Sequence, residues 1–184
     1  MKLYYPHSPA TVSGDLVDIS DKQNRISSYF IWNEGDGKFL KFTKLQGIAQ
    51  DFISENEMRH SDYLDCNMSL PIFSKKARDI LQRGMPDEME FHDLAIVKNN
   101  QRFDFAICKC LKYVQLVNSS ASTYAALTDG MPALSKPVLN ATCDTDFFIA
   151  RDSVERQVFA VSQKLIDICK MNDLHILFLQ APQS

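Results

Sequence analysis

"LPIFSKKARDIL" occupies residues 70–81, and a looser copy, "VFAVSQKLIDIC", occupies residues 158–169. In the first, Ser74 can cap a helix, because its side-chain oxygen accepts from the otherwise orphaned amides of the first turn. Phe73, Ala77, Ile80 and Leu81 then fall at i, i+4, i+7 and i+8 and make one apolar stripe. The second repeats the cap at Ser162 and the stripe at Val161, Leu165, Ile168 and Cys169. Gly84 stands ten residues after Ser74 and Asn172 ten after Ser162, so both helices are predicted to have the same length and to end on a left-handed residue. Lys76 with Asp79, and Lys164 with Asp167, recur at matching offsets on the polar side.

Each predicted helix runs into a predicted strand, at residues 89–97 and 174–180. After the first strand, Asn99, Asn100 and Gln101 form a tight turn, and a long strand begins at Arg102. There Phe103, Phe105 and Ile107 alternate with polar positions before the pattern blurs. This pair is predicted to be antiparallel. The fold class expected is therefore α+β, with a mostly antiparallel sheet and two short Ser-capped helices packed on it. Residues 66–184 carry it, and residues 1–65 form a small N-terminal lobe in the same compact unit.

Within that lobe, two aromatic-rich runs in "RISSYFIWNEGDGKFLKF" flank residues 33–37 and predict a hairpin. "GIAQDFISENEMRHSDYL" reads as a helix of moderate amphipathicity. Residues 118–137, rich in Ser, Ala, Thr and Pro, make a surface connection too long to be structureless without a function.

A net charge of −3 and basic residues scattered without a run argue against tracking a phosphate backbone, so no nucleic-acid partner is expected. No stretch approaches the roughly 20 apolar residues that span a bilayer, and Pro6 interrupts the amino-terminal segment before a signal core can form. A cytoplasmic location is expected. The five cysteines lack paired Cys-x-x-Cys spacing and read as buried reduced thiols, Cys108 and Cys110 included.

Catalytic signatures do not emerge. None of the six glycines sits in Gly-x-Ser-x-Gly or in a phosphate-binding loop. His60, Asp62 and Asp65 could supply imidazole and carboxylate ligands to a metal, but no second His lies at a zinc spacing, and a plainer reading makes them surface polarity or local capping. Cys143 with His92 or His175 is the one thiol nucleophile arrangement imaginable, against buried thiol and strand histidines. Asp144 and Asp146 would share a face if a strand starts there, and paired carboxylates can divide acid and base roles. The mixed charged turn that follows, Arg151, Asp152, Glu155 and Arg156, reads as solvated. No cofactor, metal or catalytic residue is expected. Candidate partner-binding residues are Trp32 beside the acidic turn with Glu34 and Asp36, Tyr124 and Met131 in the long connection, and Asp144 and Asp146.

The run "MSLPIFSKKARDILQRG…EFHDLAIV", a long strand, and "FFIARDSVERQVFAVSQKLIDICKMNDLHILFLQ" together resemble a family of bacterial immunity proteins that accompany polymorphic toxins, immunity family eleven. The resemblance covers roughly residues 65–181 and matches at Pro71, Ser74, Leu81, Phe148, Val161, Ser162, Leu165 and Phe178. "IAR" replaces the aromatic–arginine pair often found before the charged turn. What the resemblance implies is a non-enzymatic binder that neutralises a cognate secreted toxin domain, encoded next to it, by direct contact. The alternative from the residues alone is a small hydrolase or nucleotide-processing enzyme with an acidic site around Asp144 and Asp146.

Overall fold

The computed structural model describes residues 1–11, 14–126, 128, 130–143 and 145–184. It is α+β and built on two sheets. Sheet one contains β1 (Leu3–His7), β8 (Tyr113–Val114), β11 (Ile149–Asp152), β12 (Phe159–Ser162) and β13 (Leu177–Gln180), in the order β13-β1-β12-β11-β8. Sheet two contains β2 (Val17–Ile19), β3 (Leu45–Ala49), β4 (Tyr63–Leu64), β5 (Ile72–Ser74), β6 (Met89–Lys98) and β7 (Gln101–Cys110), in the order β2-β3-β6-β7-β5-β4. A separate hairpin joins β9 (Thr123–Ala126) to β10 (Pro132–Lys136).

The two echoing stretches are the same supersecondary unit. Each begins with a short strand ahead of its serine, β5 or β12, and continues into α3 (Lys75–Gly84) or α4 (Gln163–Met171). β5 and β6 both pair antiparallel with β7, so they are parallel to one another with β7 between them. β12 and β13 likewise flank β1. Each unit is a split β-α-β. The strand brought in between comes from elsewhere in the chain, and β1 comes from the extreme amino terminus. The residues expected to form an N-terminal lobe, 1–65, thus contribute strands to both sheets.

α3 and α4 lie with their apolar stripes in one core between the sheets. Ala77 and Leu81 from α3 meet Leu165 and Cys169 from α4, with Phe73 and Cys108 of sheet two and Ile149 and Val161 of sheet one. The opposite face of sheet two carries Leu94, Ile96, Phe103, Phe105 and Ile107 against Phe30, Ile53 and Met58 from the amino-terminal segment. β7 is therefore buried on both faces, which is why its alternation fades after Ile107. The outer face of sheet one packs Leu3, Ala150 and Ala160 under Leu116, Leu139 and Phe147, which lie between β8 and β11.

The antiparallel β6–β7 pair runs in full register from Met89↔Cys110 to Lys98↔Gln101. Asn99 and Asn100 turn it with φ of 50° and 63°, the left-handed pair that matches strand twist.

Several expectations are corrected. Residues 25–42 hold no hairpin: Arg25–Phe30 is a helix, α1, and Lys38–Lys41 a turn of 3-10 helix. The Asp21 carboxylate accepts the amides of Ile26 and Ser27 at 3.0 and 2.8 Å and so starts the helix. Gly37, at φ 67°, lets the chain cross the Tyr29 ring, where a Cβ would come within 2.7 Å. The helix expected over 47–64 is split between strand β3 and α2 (Glu55–His60), because Leu45, Gly47 and Ala49 alternate inward with exposed Gln46 and Ile48. Gly84 is not left-handed, and Met85 closes α3 at φ −143°. In α4 the left-handed residue is Asp173, at φ 49°, one beyond Asn172. Ser162 stands at the cap position with no side-chain cap bond, so only Ser74 caps as expected.

Candidate functional site

A cleft opens where the ends of the two sheets meet the β9–β10 hairpin, and its volume is about 690 Å³. Tyr5 and His7 of β1 and Phe159 of β12 supply one wall, and Tyr63 of β4 with Cys66 and Leu70 from the β4–β5 connection supply the floor. Pro132, Ala133 and Leu134 of β10 overhang it, and Trp32 stands opposite, 41% exposed.

The turn between β11 and β12 shapes the cleft through two residues read from sequence as solvated. Arg151 and Asp152 are instead buried, at 0% and 1% exposure. The Asp152 carboxylate accepts four backbone amides, those of Leu116 and Val117 at 2.6 and 2.7 Å and those of Val154 and Glu155 at 2.8 and 2.6 Å. Arg151 donates from Nη1 to Arg156 O at 2.5 Å and from Nη2 to Ser69 O at 3.3 Å, tying the turn to the cleft floor. A buried charge costs several kcal/mol unless its hydrogen bonds are made. Asp152 makes four, whereas Arg151 makes two and leaves Nε without a hydrogen-bond partner, its guanidinium lying 5.5 Å from the centroid of the Phe159 ring. Their role has no spacing signature, because every partner but Ser69 and the 116–117 amides is local and all are backbone.

With the turn fixed, Glu155 and Arg156 line the cleft. Arg156 Nη1 donates to Trp32 O at 2.6 Å, and its guanidinium lies 4.9 Å from the centroid of Tyr113. Glu155 Oε1 accepts from the Tyr124 hydroxyl at 3.1 Å, which anchors the hairpin arm. Asp15 and Asp65 also line it. Asp65 accepts from Ser8 N at 2.9 Å and lies 3.5 Å from His7 Nδ1. Burial raises its carboxyl above the usual value, against the lowering pull of Ser8 N and His7. Three carboxylates against one guanidinium and one imidazole give the cleft an acidic character.

Among the expected partner-binding residues, the structure brings Trp32, Tyr124 and Met131 to this region. Trp32 is on the rim, Tyr124 reaches it through Glu155, and Met131, 62% exposed, precedes the overhanging Pro132. Glu34 and Asp36 line a separate depression beside Tyr29 and Phe39, and Asp36 pairs with Lys38 at 2.5 Å. Asp146 lies by α4, where its carboxylate meets Lys164 Nζ at 2.5 Å and its carbonyl accepts from Lys112. Asp144 lies outside the described residues.

The other candidates do not converge. Among the described residues no three His, Cys, Asp or Glu side chains are placed to hold a metal ion. Asp62 is committed to the Ser74 hydroxyl and His175 N, and His60 Nδ1 to Asn56 O. Cys143 lies against Thr145 O, His92 against Glu90, and His175 against His60 O. Cys66, Cys108, Cys110 and Cys169 are buried free thiols. No helix among the described residues is long and apolar enough to cross a membrane.

No protein-family model matches the chain, and no curated protein matches it.

Proposed function

We propose that the chain is an immunity protein, which binds a cognate toxin domain in the cytoplasm and neutralises it by direct contact. The observation that carries this reading is the cleft: an aromatic rim residue, Trp32, and an overhanging hairpin arm bracket a lining in which Asp15, Asp65 and Glu155 outnumber the cations. That shape accepts a protruding polypeptide element, and its charge favours a basic one. A rigid floor fits the same task. Arg151 and Asp152 fix the turn through backbone partners, so little ordering entropy is lost on association.

The experiment is co-expression with the product of the neighbouring reading frame. That product is toxic alone and harmless with this chain, and Trp32→Ala with Glu155→Lys restores toxicity while leaving the fold intact by circular dichroism. Absence of toxicity, or rescue that survives both substitutions, rejects the reading.

A further inference from the structure

The cleft holds polar atoms that the fold does not use. Tyr63 is 2% exposed and lines the floor; its hydroxyl makes no hydrogen bond among the described residues and is not sealed from solvent, so it opens on the cleft. The hydroxyl of Tyr5, on the adjoining wall, is buried and likewise has no partner. A buried hydroxyl without a partner is destabilising, so two of them in one cleft mark where a ligand's polar atoms belong.

The carboxylates indicate what that ligand carries. Asp15 lines the cleft, is exposed, and makes no hydrogen bond or ion pair among the described residues. Asp65 spends Oδ2 on Ser8 N, while Oδ1 has His7 Nδ1 at 3.5 Å, beyond the usual N–H···O range of about 2.7–3.2 Å. Burial first, and the nearby Asp15 charge to a lesser degree, push the Asp65 carboxyl up. Two carboxylates in one partly desolvated space are relieved by a cation between them. The guanidinium already present, that of Arg156, is committed to Trp32 O, Ser153 O and the Tyr113 ring.

We propose that the cleft receives an arginine side chain of the toxin domain, its guanidinium held by Asp15 and Asp65, with the Tyr63 oxygen as a further acceptor and Trp32 closing over it at the rim. Arginine suits the lining better than lysine. Its five N–H donors lie in one plane, match carboxylates in pairs and leave a face that stacks on aromatic rings. An ammonium is more strongly hydrated, and it would lose more water on entering a cleft walled by Tyr5, Tyr63 and Phe159. The partner named here rests on the immunity reading; the preference of the cleft for a guanidinium does not.

Trp32 is the single tryptophan, so indole fluorescence reports from the rim alone. Titration of the full chain with Nα-acetyl-arginine methylamide should change that signal saturably at millimolar concentrations. The lysine analogue should bind at least about fivefold more weakly, and the uncharged glutamine analogue should give no saturable change. Asp15→Asn and Asp65→Asn should each weaken arginine binding by about fivefold or more. Asp15→Asn decides alone if Asp65→Asn unfolds, since the Asp15 carboxylate holds no structural bond among the described residues. Tyr63→Phe should weaken binding by about threefold and leave the urea midpoint unchanged, because it removes a hydroxyl the fold does not use. Asp36→Asn, in the separate depression, should have no effect. No saturation, equal affinity for the arginine and lysine analogues, or indifference to Asp15→Asn overturns the inference. In the complex with the neighbouring frame's product, replacing that product's arginines one at a time by lysine should find one whose loss weakens binding. A complex that tolerates every replacement overturns the inference and leaves the immunity reading standing, whereas saturable arginine binding without any complex rejects that reading and upholds the chemistry of the cleft.

Discussion

The Ser74 hydroxyl donates to the Asp62 carboxylate, and its oxygen accepts the Ala77 amide that opens α3. The other carboxylate oxygen of Asp62 accepts His175 N at 2.8 Å, and the backbone of Asp62 exchanges hydrogen bonds with Ser74 N and His175 O. One side chain thus joins the cap of the first split β-α-β unit to the approach of the closing strand of the second. Asp62→Ala should destabilise the chain by about 3 kcal/mol, because it strands two donors at a site that is nearly closed to water. A urea midpoint within error of the wild type contradicts this role.

The two serines that look equivalent in sequence predict different consequences. Ser74→Ala removes a cap bond and a donor to Asp62 and should cost about 1–2 kcal/mol. Ser162 Oγ is buried with no hydrogen-bond partner, so Ser162→Ala removes an unsatisfied hydroxyl. It should fall within about 0.5 kcal/mol of the wild type or stabilise it. Equal losses in denaturant titrations of the two variants would refute the distinction.

Acid sensitivity has a local source at α2. Ser54 and Glu57 form a reciprocal capping box, and Glu57 Oε1 also accepts from the hydroxyl and amide of Thr11. The Thr11 hydroxyl first, and then the Ser54 and Thr11 amides, hold the Glu57 carboxyl down at about 2, from an ordinary 4.5. A carboxylate lowered on folding contributes stability above its unfolded value and loses that contribution as pH falls from 4.5 through about 2. Carbon-detected NMR titration should place Glu57 well below 4.5, and Thr11→Val should move it back towards that value. An ordinary titration in the wild type would show that the box does not hold the charge.

Thiol reactivity should separate the cysteines by depth. Burial pushes the Cys66 and Cys169 thiols up, to about 11 and about 12, and Cys108 is raised as well, while Cys143 is partly exposed. In the native protein one thiol, Cys143, should react with an aromatic disulfide reagent, and the other four only after denaturation. Fast labelling of Cys110 or Cys169 in the native state would contradict the packing between the sheets.

The helices at residues 75–84 and 163–171 and the β6–β7 pair were legible because capping, 3.6-residue periodicity and the Asn-Asn turn are local signals. The strands just ahead of Ser74 and Ser162 were not. "IFS" and "FAVS" are too short for a periodicity of their own and run straight into helix. Nor did any local pattern show that β1 would complete the second unit, since it pairs with strands more than 150 residues away. Among the residues around the cleft, Trp32, Tyr124 and Met131 stood out in sequence as aromatic or apolar side chains in segments without clear periodicity, and Tyr124 lies on β9. Arg151 and Asp152 looked like part of a solvated turn, because a charge buried by backbone partners leaves no mark on its sequence neighbours.

The central claim is that the cleft between Trp32 and the β10 arm receives a partner protein, and hydrogen exchange on the purified pair tests it most directly. With the neighbouring reading frame's product bound, the amides of Trp32, residues 133–136 and residues 155–159 should slow together. A complex that protects other surfaces and leaves these unchanged would contradict the claim, as would a failure of the two proteins to bind.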